Sequence, residues 1–201
     1  VNQLISTPIW GQKGNVFAVP TDGPQREERL GWTGDIAAYA ATAAFQFDVA
    51  DFLHGWLLDL AVETEAAGFV PVTIPDVIKL GHFDGGVPFA DAGAQAIWSD
   101  AAVWVPQALW RAYGDRDRLA AHYPGMVAHL EAVEPLLSET GLWDVGYQLA
   151  DWLDPDAPPH DPAAAKADTG VVATASLYRS ALFAAETASL LGHPADAARW
   201  S

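Results

Sequence analysis

Cysteine is absent from the 201 residues, methionine occurs once, and basic residues are scarce, with 10 Lys and Arg against 26 Asp and Glu. Without Cys there is no disulfide framework and no thiolate for catalysis or metal binding. A formal net charge of −16 argues against nucleic acid and anionic membranes as partners, because Lys and Arg carry affinity for phosphate. No uninterrupted apolar run approaches the roughly 20 residues that span a bilayer. The start, Val1-Asn2-Gln3-Leu4, lacks the basic residues and apolar core of a signal peptide, so the compartment stays open. It also begins abruptly, as if cut from a longer chain. What is present is a globular composition: 51% apolar residues and nine Trp, enough for one sizeable core.

Helical periods dominate. Ile36–Phe47 and Val49–Ala67 read as two helices, the second with Phe52, Trp56, Leu60 and Val62 or Glu63 at three- and four-residue steps, and Gly68 as its cap. Ala101–Tyr113 follows, opened by Ser99 or Asp100 and closed by Gly114. Asp115 caps Arg116–His122, and Pro124 suits the first position of a separate helix towards Leu137, with Val127, Leu130 and Val133 on one face. Val172–Leu191 is a last long helix, with Leu177, Leu182, Phe183 and Leu190 inward, stopped by Gly192-His193-Pro194. Residues 194–200 begin a further element. Strand signals are few: Gly68–Ile74 is extended, but Pro71 limits it to an edge or a loop. Residues 71–88 and 154–170 are long Pro- and Gly-rich loops, unusual without a function. The expectation is one all-α domain of about three stacked αα-hairpins, an open arc with an apolar inner face.

The densest chemistry lies in residues 21–35, where Asp22, Glu27, Glu28, Asp35, Arg26, Arg29 and Trp32 share one loop broken by Gly23, Pro24, Gly31 and Gly34. Crowded carboxylates repel each other's charge, so at least one should hold its proton near neutrality, as a general acid must. Ionised neighbours can accept hydrogen bonds from sugar hydroxyls, and the indole face can pack on a pyranose. The plain alternative is a capping loop, with Asp35 as N-cap of the next helix and the two arginines paired with Glu27 and Glu28.

The stretch Gly14-Asn-Val-Phe-Ala-Val-Pro-Thr-Asp-Gly-Pro-Gln-Arg-Glu-Glu-Arg-Leu-Gly-Trp-Thr-Gly-Asp35 resembles the signature of bacterial α-L-rhamnosidases of glycoside hydrolase family 78. Later segments agree in order: Trp98-Ser99-Asp100-Ala101-Ala102-Val103, Tyr113-Gly114-Asp115, His122-Tyr123-Pro124, Asp151-Trp152-Leu153 and Ala173-Thr174-Ala175. One departure is Gly23, where family members commonly carry Cys. The resemblance implies part of an (α/α)6 barrel of the six-hairpin glycosidase type, with N-terminal β domains and the C-terminal barrel half outside residues 1–201. It implies removal of terminal α-L-rhamnose from a glycoside or oligosaccharide with inversion. Glu28 matches the general acid, Asp22 and Asp35 match carboxylates that hold the rhamnose hydroxyls, and Trp32 matches a wall of the sugar pocket. Trp98, Asp100, Asp151 and Trp152 fall where later loops reach into the same pocket, with N-capping for Asp100 and core packing for Trp152 as alternatives.

Inversion needs a second carboxylate roughly 6.5–9.5 Å from the acid. In the family it is a Glu in a Trp-Glu motif further along, which nothing here matches; Glu131, Glu134, Glu139 and Glu186 have solvent-face spacing. The base is therefore expected beyond Ser201. No cofactor is expected. His122 and His129 are seven residues apart with Pro124 between them and lack a third metal ligand. Asp154-Pro155-Asp156 with His160 and Asp161 lacks EF-hand spacing and reads as a solvated loop. Gly81–Gly86 has no Lys-Ser/Thr ending and is no phosphate loop. Ser99 has no neighbouring His. Competing readings are a barrel glycosidase for another deoxyhexose or a uronate, a sugar-binding fragment without turnover, and an all-α scaffold for protein partners.

Overall fold

Apolar residues spaced three and four apart write most of the helices, and tertiary packing decides which of them face inward. The computed structural model describes residues 2–25, 27–80, 93–161 and 164–201. Among the described residues seven α-helices run in the order α1 (Asn2–Asn15), α2 (Thr33–Gln46), α3 (Ala50–Ala67), α4 (Ala101–Tyr113), α5 (Arg116–Val133), α6 (Thr169–Leu191) and α7 (Pro194–Arg199). Short 3-10 turns cover Ile78–Leu80 and Glu134–Leu136. None of the helices among the described residues is long and apolar enough to cross a membrane. The phosphate-loop question at Gly81–Gly86 lies outside the described residues, as does Arg26.

The expected helix ends hold: Gly68, Gly114 and Gly192 stand in the left-handed region just past α3, α4 and α6. The Asp115 carboxylate accepts from the amides of Asp117 and Arg118, and the Asp168 carboxylate from that of Val171. Four expectations change. Helix α1, not anticipated, carries Pro8 internally and leaves Leu4, Ile5 and Trp10 exposed. On α3 the buried stripe is Leu53, Trp56, Leu57 and Leu60, while Val62 faces water. On α6 the inward face is small, with Ala173, Ser176, Ser180, Ala184 and Ala188 beside Phe183, and Leu182 and Leu190 point outward.

The fourth change is at Pro124, which lies inside α5 rather than at the start of a new helix. Proline there removes the N–H that would bond the Ala120 carbonyl, at a cost of about 3 kcal/mol. Leu119, Tyr123, Met126, Leu130 and Val133 line the buried face of the same helix on both sides of it. Each fully buried large apolar side chain stabilises by roughly 1.5–3 kcal/mol, so continuous packing outweighs the lost bond.

Helix α2 packs on α4, α4 on α5 and α6, α5 on α3 and α6, and α6 on α7. The result is two layers, α2, α4 and α6 in one and α3, α5 and α7 in the other, that is, three hairpins in chain order. The Ala-rich face of α2 (Ala37, Ala40, Ala43) lets it approach α4 closely. The main core joins these helices through Leu53, Trp56, Val103, Val105 and Met126. Along α2, α4 and α6 lies a cleft of about 470 Å³, lined by Ala38, Ala41, Phe45, Trp104 and Arg179 among others. Phe45 at its rim is 90% exposed, which agrees with an open arc.

Residues 69–74, expected to be extended, form no strand but a bent segment with one isolated bridge. They bridge to the start of α2 around Trp32 and Thr73, with Thr33 N donating to Val72 O (2.9 Å) and Ile74 N to Gly31 O (2.9 Å). That short pairing holds the acidic loop against the body of the fold.

Candidate active site

The loop between α1 and α2 is closed by backbone bonds at both ends. The last carbonyl of α1, on Asn15, accepts from the Thr21 amide (2.9 Å) and hydroxyl (2.7 Å), and the Asn15 side-chain amide donates to Asp22 O (2.8 Å). Asp22 then pairs with Leu30: its amide donates to Leu30 O (3.1 Å), and its Oδ1 accepts from Leu30 N (3.0 Å). Residues 22–30 thus form a necked loop with Glu28 near its closing end. Arg29 adopts φ +51° and its Nε donates to Pro24 O (3.0 Å), bracing the loop from inside.

Two glycines let the neck enter the fold. A Cβ on Gly31 would fall on the Ile74 carbonyl oxygen, and one on Gly34 would lie 2.6 Å from the Trp98 indole ring. Only a residue without a side chain permits those approaches. Trp32, between them, donates from Nε1 to Glu28 Oε1 at 2.8 Å. Its ring packs in a cluster with Val72, Ile78 and Leu149, where Trp98 and Trp152 join it. Three of the tryptophans singled out in the sequence therefore meet, although 120 residues separate the first from the last.

Asp35 lies in the first turn of α2 and does not cap it; the residue before the helix is Trp32, which makes no side-chain cap bond. Its carboxyl faces an open cavity, so water reaches it, while protein crowds its other sides. That crowding, then the charge of Asp22 and, more weakly, that of Glu28 push its pKa up to about 6. Crowding thus raises one carboxyl of the cluster, Asp35, although a pKa of about 6 leaves it largely ionised at neutrality, fit to accept hydrogen bonds rather than to give a proton. Asp22 and Asp35 both line this cavity, of about 500 Å³, which continues between α1, α2 and α3 past Asn15, Tyr39 and Phe52. Glu28 and Trp32 are outside its lining.

The remaining sequence candidates fall in different places. Asp151 is exposed, just before the half-buried Trp152, in a loop where Ala150 and Leu153 take positive φ. Residues 147–149 are stapled to residues 95 and 96: Leu149 N donates to Gln95 Oε1 (3.0 Å), and Ala96 N to Gln148 Oε1 (2.8 Å). Asp100 is fully buried and bonds inward, to Ile97, Ser180 and His129. It makes no cap bond to α4. These partners stand three, 80 and 29 residues away, so only the fold reveals the network. Ser99 is structural, accepting from Gln95 N and donating to Val70 O.

The two histidines go separate ways. His122 meets His54, with 2.8 Å between ring nitrogens, and burial, then His54 and Arg118, push its pKa down to about 4. His129 faces Asp100. In the 154–161 loop, Asp154 accepts from the amides of Asp156 and Lys166, and Lys166 ion-pairs with Asp156. Among the described residues no group of three or more His, Cys, Asp or Glu could hold a metal ion.

Against known proteins, residues 1–201 match the family described as bacterial alpha-L-rhamnosidase 6 hairpin glycosidase domain. An alpha-L-rhamnosidase of Streptomyces avermitilis is 40% identical over 196 residues, 97% of this chain and 17% of that protein. One from Alteromonas sp. (strain LOR) is 33% identical over 204 residues, 100% of this chain and 20% of that protein. Among solved structures, native alfa-L-rhamnosidase from Aspergillus terreus superposes with TM-score 0.85 at 37% identity, covering 96% of this chain and 21% of that one. Streptomyces avermitilis alpha-L-rhamnosidase complexed with L-rhamnose gives 0.79 at 39%, covering 99% and 17%. The chain spans about a fifth of the length of these relatives.

Proposed function

Because the chain belongs to the family of bacterial alpha-L-rhamnosidase six-hairpin glycosidase domains, we propose that it supplies the acid-bearing part of an active site that removes terminal α-L-rhamnose with inversion. The observation that carries this reading is the gathering of Asp22, Glu28, Trp32 and Asp35 at one loop and helix start, with the Trp32 indole bonded to Glu28.

In this reading Glu28 is the general acid. The indole N–H orients the carboxyl through Oε1, and the Glu28 proton passes to the glycosidic oxygen as the C–O bond breaks. Asp22 and Asp35 accept hydrogen bonds from sugar hydroxyls and orient the ring; Trp32 packs on its apolar face. Trp98, Trp152 and Asp151 extend the wall. Water attack from the opposite face needs a second carboxylate roughly 6.5–9.5 Å away. We place it in the length of the relatives that this chain does not span. Glu131 and Glu134 are unsuited, since Arg199 engages both (2.8 and 2.7 Å).

A panel of aryl glycosides, offered to this chain and to a longer chain that includes the remaining hairpins, tests the proposal. Release from the α-L-rhamnoside alone, by the longer chain alone, is the expected result. A folded longer chain that is silent on the rhamnoside but cleaves another sugar overturns the substrate assignment.

A further inference from the structure

Asp100 uses both carboxylate oxygens inside the protein. Oδ1 accepts the Ser180 hydroxyl (2.5 Å) and the His129 Nε2–H (3.0 Å), and Ser180 Oγ in turn accepts the Trp104 indole N–H (2.9 Å). Oδ2 accepts the Ile97 amide at 2.7 Å. Ile97 stands at φ +72°, a region that β-branched residues avoid. The next residue is Trp98, whose ring lies on the backbone of Gly34, beside Asp35. Other bonds hold the turn at its ends, through Gln95 and Ser99; Asp100 supplies the bond at the strained residue itself.

We propose that Asp100 is a positioning residue: anchored by Ser180 of α6 and His129 of α5, it pins the Ile97 amide and thereby sets where Trp98 presents its ring against the start of α2. The wall of the site is then referenced to the helical core rather than to its own loop. Such support is what a binding wall on a loop requires to hold its geometry. Its meaning for sugar binding rests on the function proposed above; the control of the turn does not.

The test is 19F NMR on the chain labelled with 5-fluorotryptophan, the Trp98 signal being assigned by its loss in Trp98→Phe. An amide has one oxygen, so Asp100→Asn cannot accept from Ile97 and from the Ser180 and His129 side together. The expected result is a shifted or broadened Trp98 resonance, and L-rhamnose affinity weakened by about tenfold, or roughly 1.4 kcal/mol. Adding Ile97→Gly should restore the Trp98 resonance, because glycine takes positive φ without help. Met126→Ala, a cavity in the core, should lower stability and leave that resonance in place. If Asp100→Asn fails to fold, Ser180→Ala removes one anchor more gently and is read in the same way. An unchanged Trp98 signal in either folded variant, or the same shift in Met126→Ala, overturns the proposal. If the unaltered chain does not bind rhamnose, the sugar reading fails, and the resonance still decides the role of Asp100.

Discussion

At the scale of single residues, the carboxylates of the loop divide the work by environment. Glu28→Gln, made in the longer chain, is expected to reduce hydrolysis of rhamnosides with poor leaving groups by about 10²–10⁴-fold, the usual contribution of a general acid. Ground-state sugar binding should persist, and steady-state kinetics with matched aryl and alkyl rhamnosides separates the two. Asp35 predicts a stability effect with a definite sign. Its pKa is raised from 3.8 to about 6 in the folded protein, so the native state holds that proton more tightly than the unfolded chain. The stabilisation is full below 3.8 and is lost as pH rises through about 6. Asp35→Asn should therefore melt at a higher temperature than the parent at pH 8, and vary less between pH 4 and 6. Thermal melts across that range check it. Such a gain on removal is what a site held for function at the expense of stability shows.

At the scale of elements, two helices offer tests of how packing overrides local preference. Pro124 is exposed within α5, with the Ala120 carbonyl left without its helical partner. Pro124→Ala should stabilise the chain by roughly 1–3 kcal/mol, read as a higher denaturant midpoint. The α3–α5 seam holds the opposite kind of group from Asp35. His122 has its pKa lowered from 6.5 to about 4, by burial first and by His54 next. Its contribution to stability is present above 6.5 and is lost as pH falls through 4. His122→Gln should flatten the stability profile over pH 4–6.5, where the Asp35 effect runs the other way. Single variants are needed to separate them. The periods of three and four residues made α2, α3, α4 and α6 legible in the sequence, α5 being read as two helices parted at Pro124, and the glycine and aspartate caps placed several of their ends. The inward side of α6 was legible in half: Phe183 is buried and Leu177 packs on a buried cluster, while the small residues chosen by close helix approach were missed and Leu182 and Leu190 face outward.

At the scale of the whole molecule, the two layers of three helices leave the apolar Phe45 side of α2 uncovered. Exposed patches of that kind mark contact surfaces. The chain on its own should bind an apolar dye or self-associate despite its net charge of −16. Phe45→Ser should reduce that association without lowering the melting temperature, since Phe45 is 90% exposed. Analytical ultracentrifugation of the two proteins decides the matter; equal association of both would place the sticky surface elsewhere, for instance on Leu4 and Trp10 of α1.

The residues alone determined the all-α class, the three hairpins and the loop in which Asp22, Glu28, Trp32 and Asp35 lie together. Those features depend on neighbours within one or two helical turns, or on a contiguous motif, and local order carries them. Tertiary structure decided which carboxyl has its pKa raised: Asp35, crowded by protein on the sides away from the cavity and facing the charge of Asp22, 13 positions earlier in the chain. It also decided that Asp100 turns inward to Ser180 and His129 while Trp32, Trp98 and Trp152 converge. Burial and contacts across tens of residues have no period in the sequence, so only the packed chain states them.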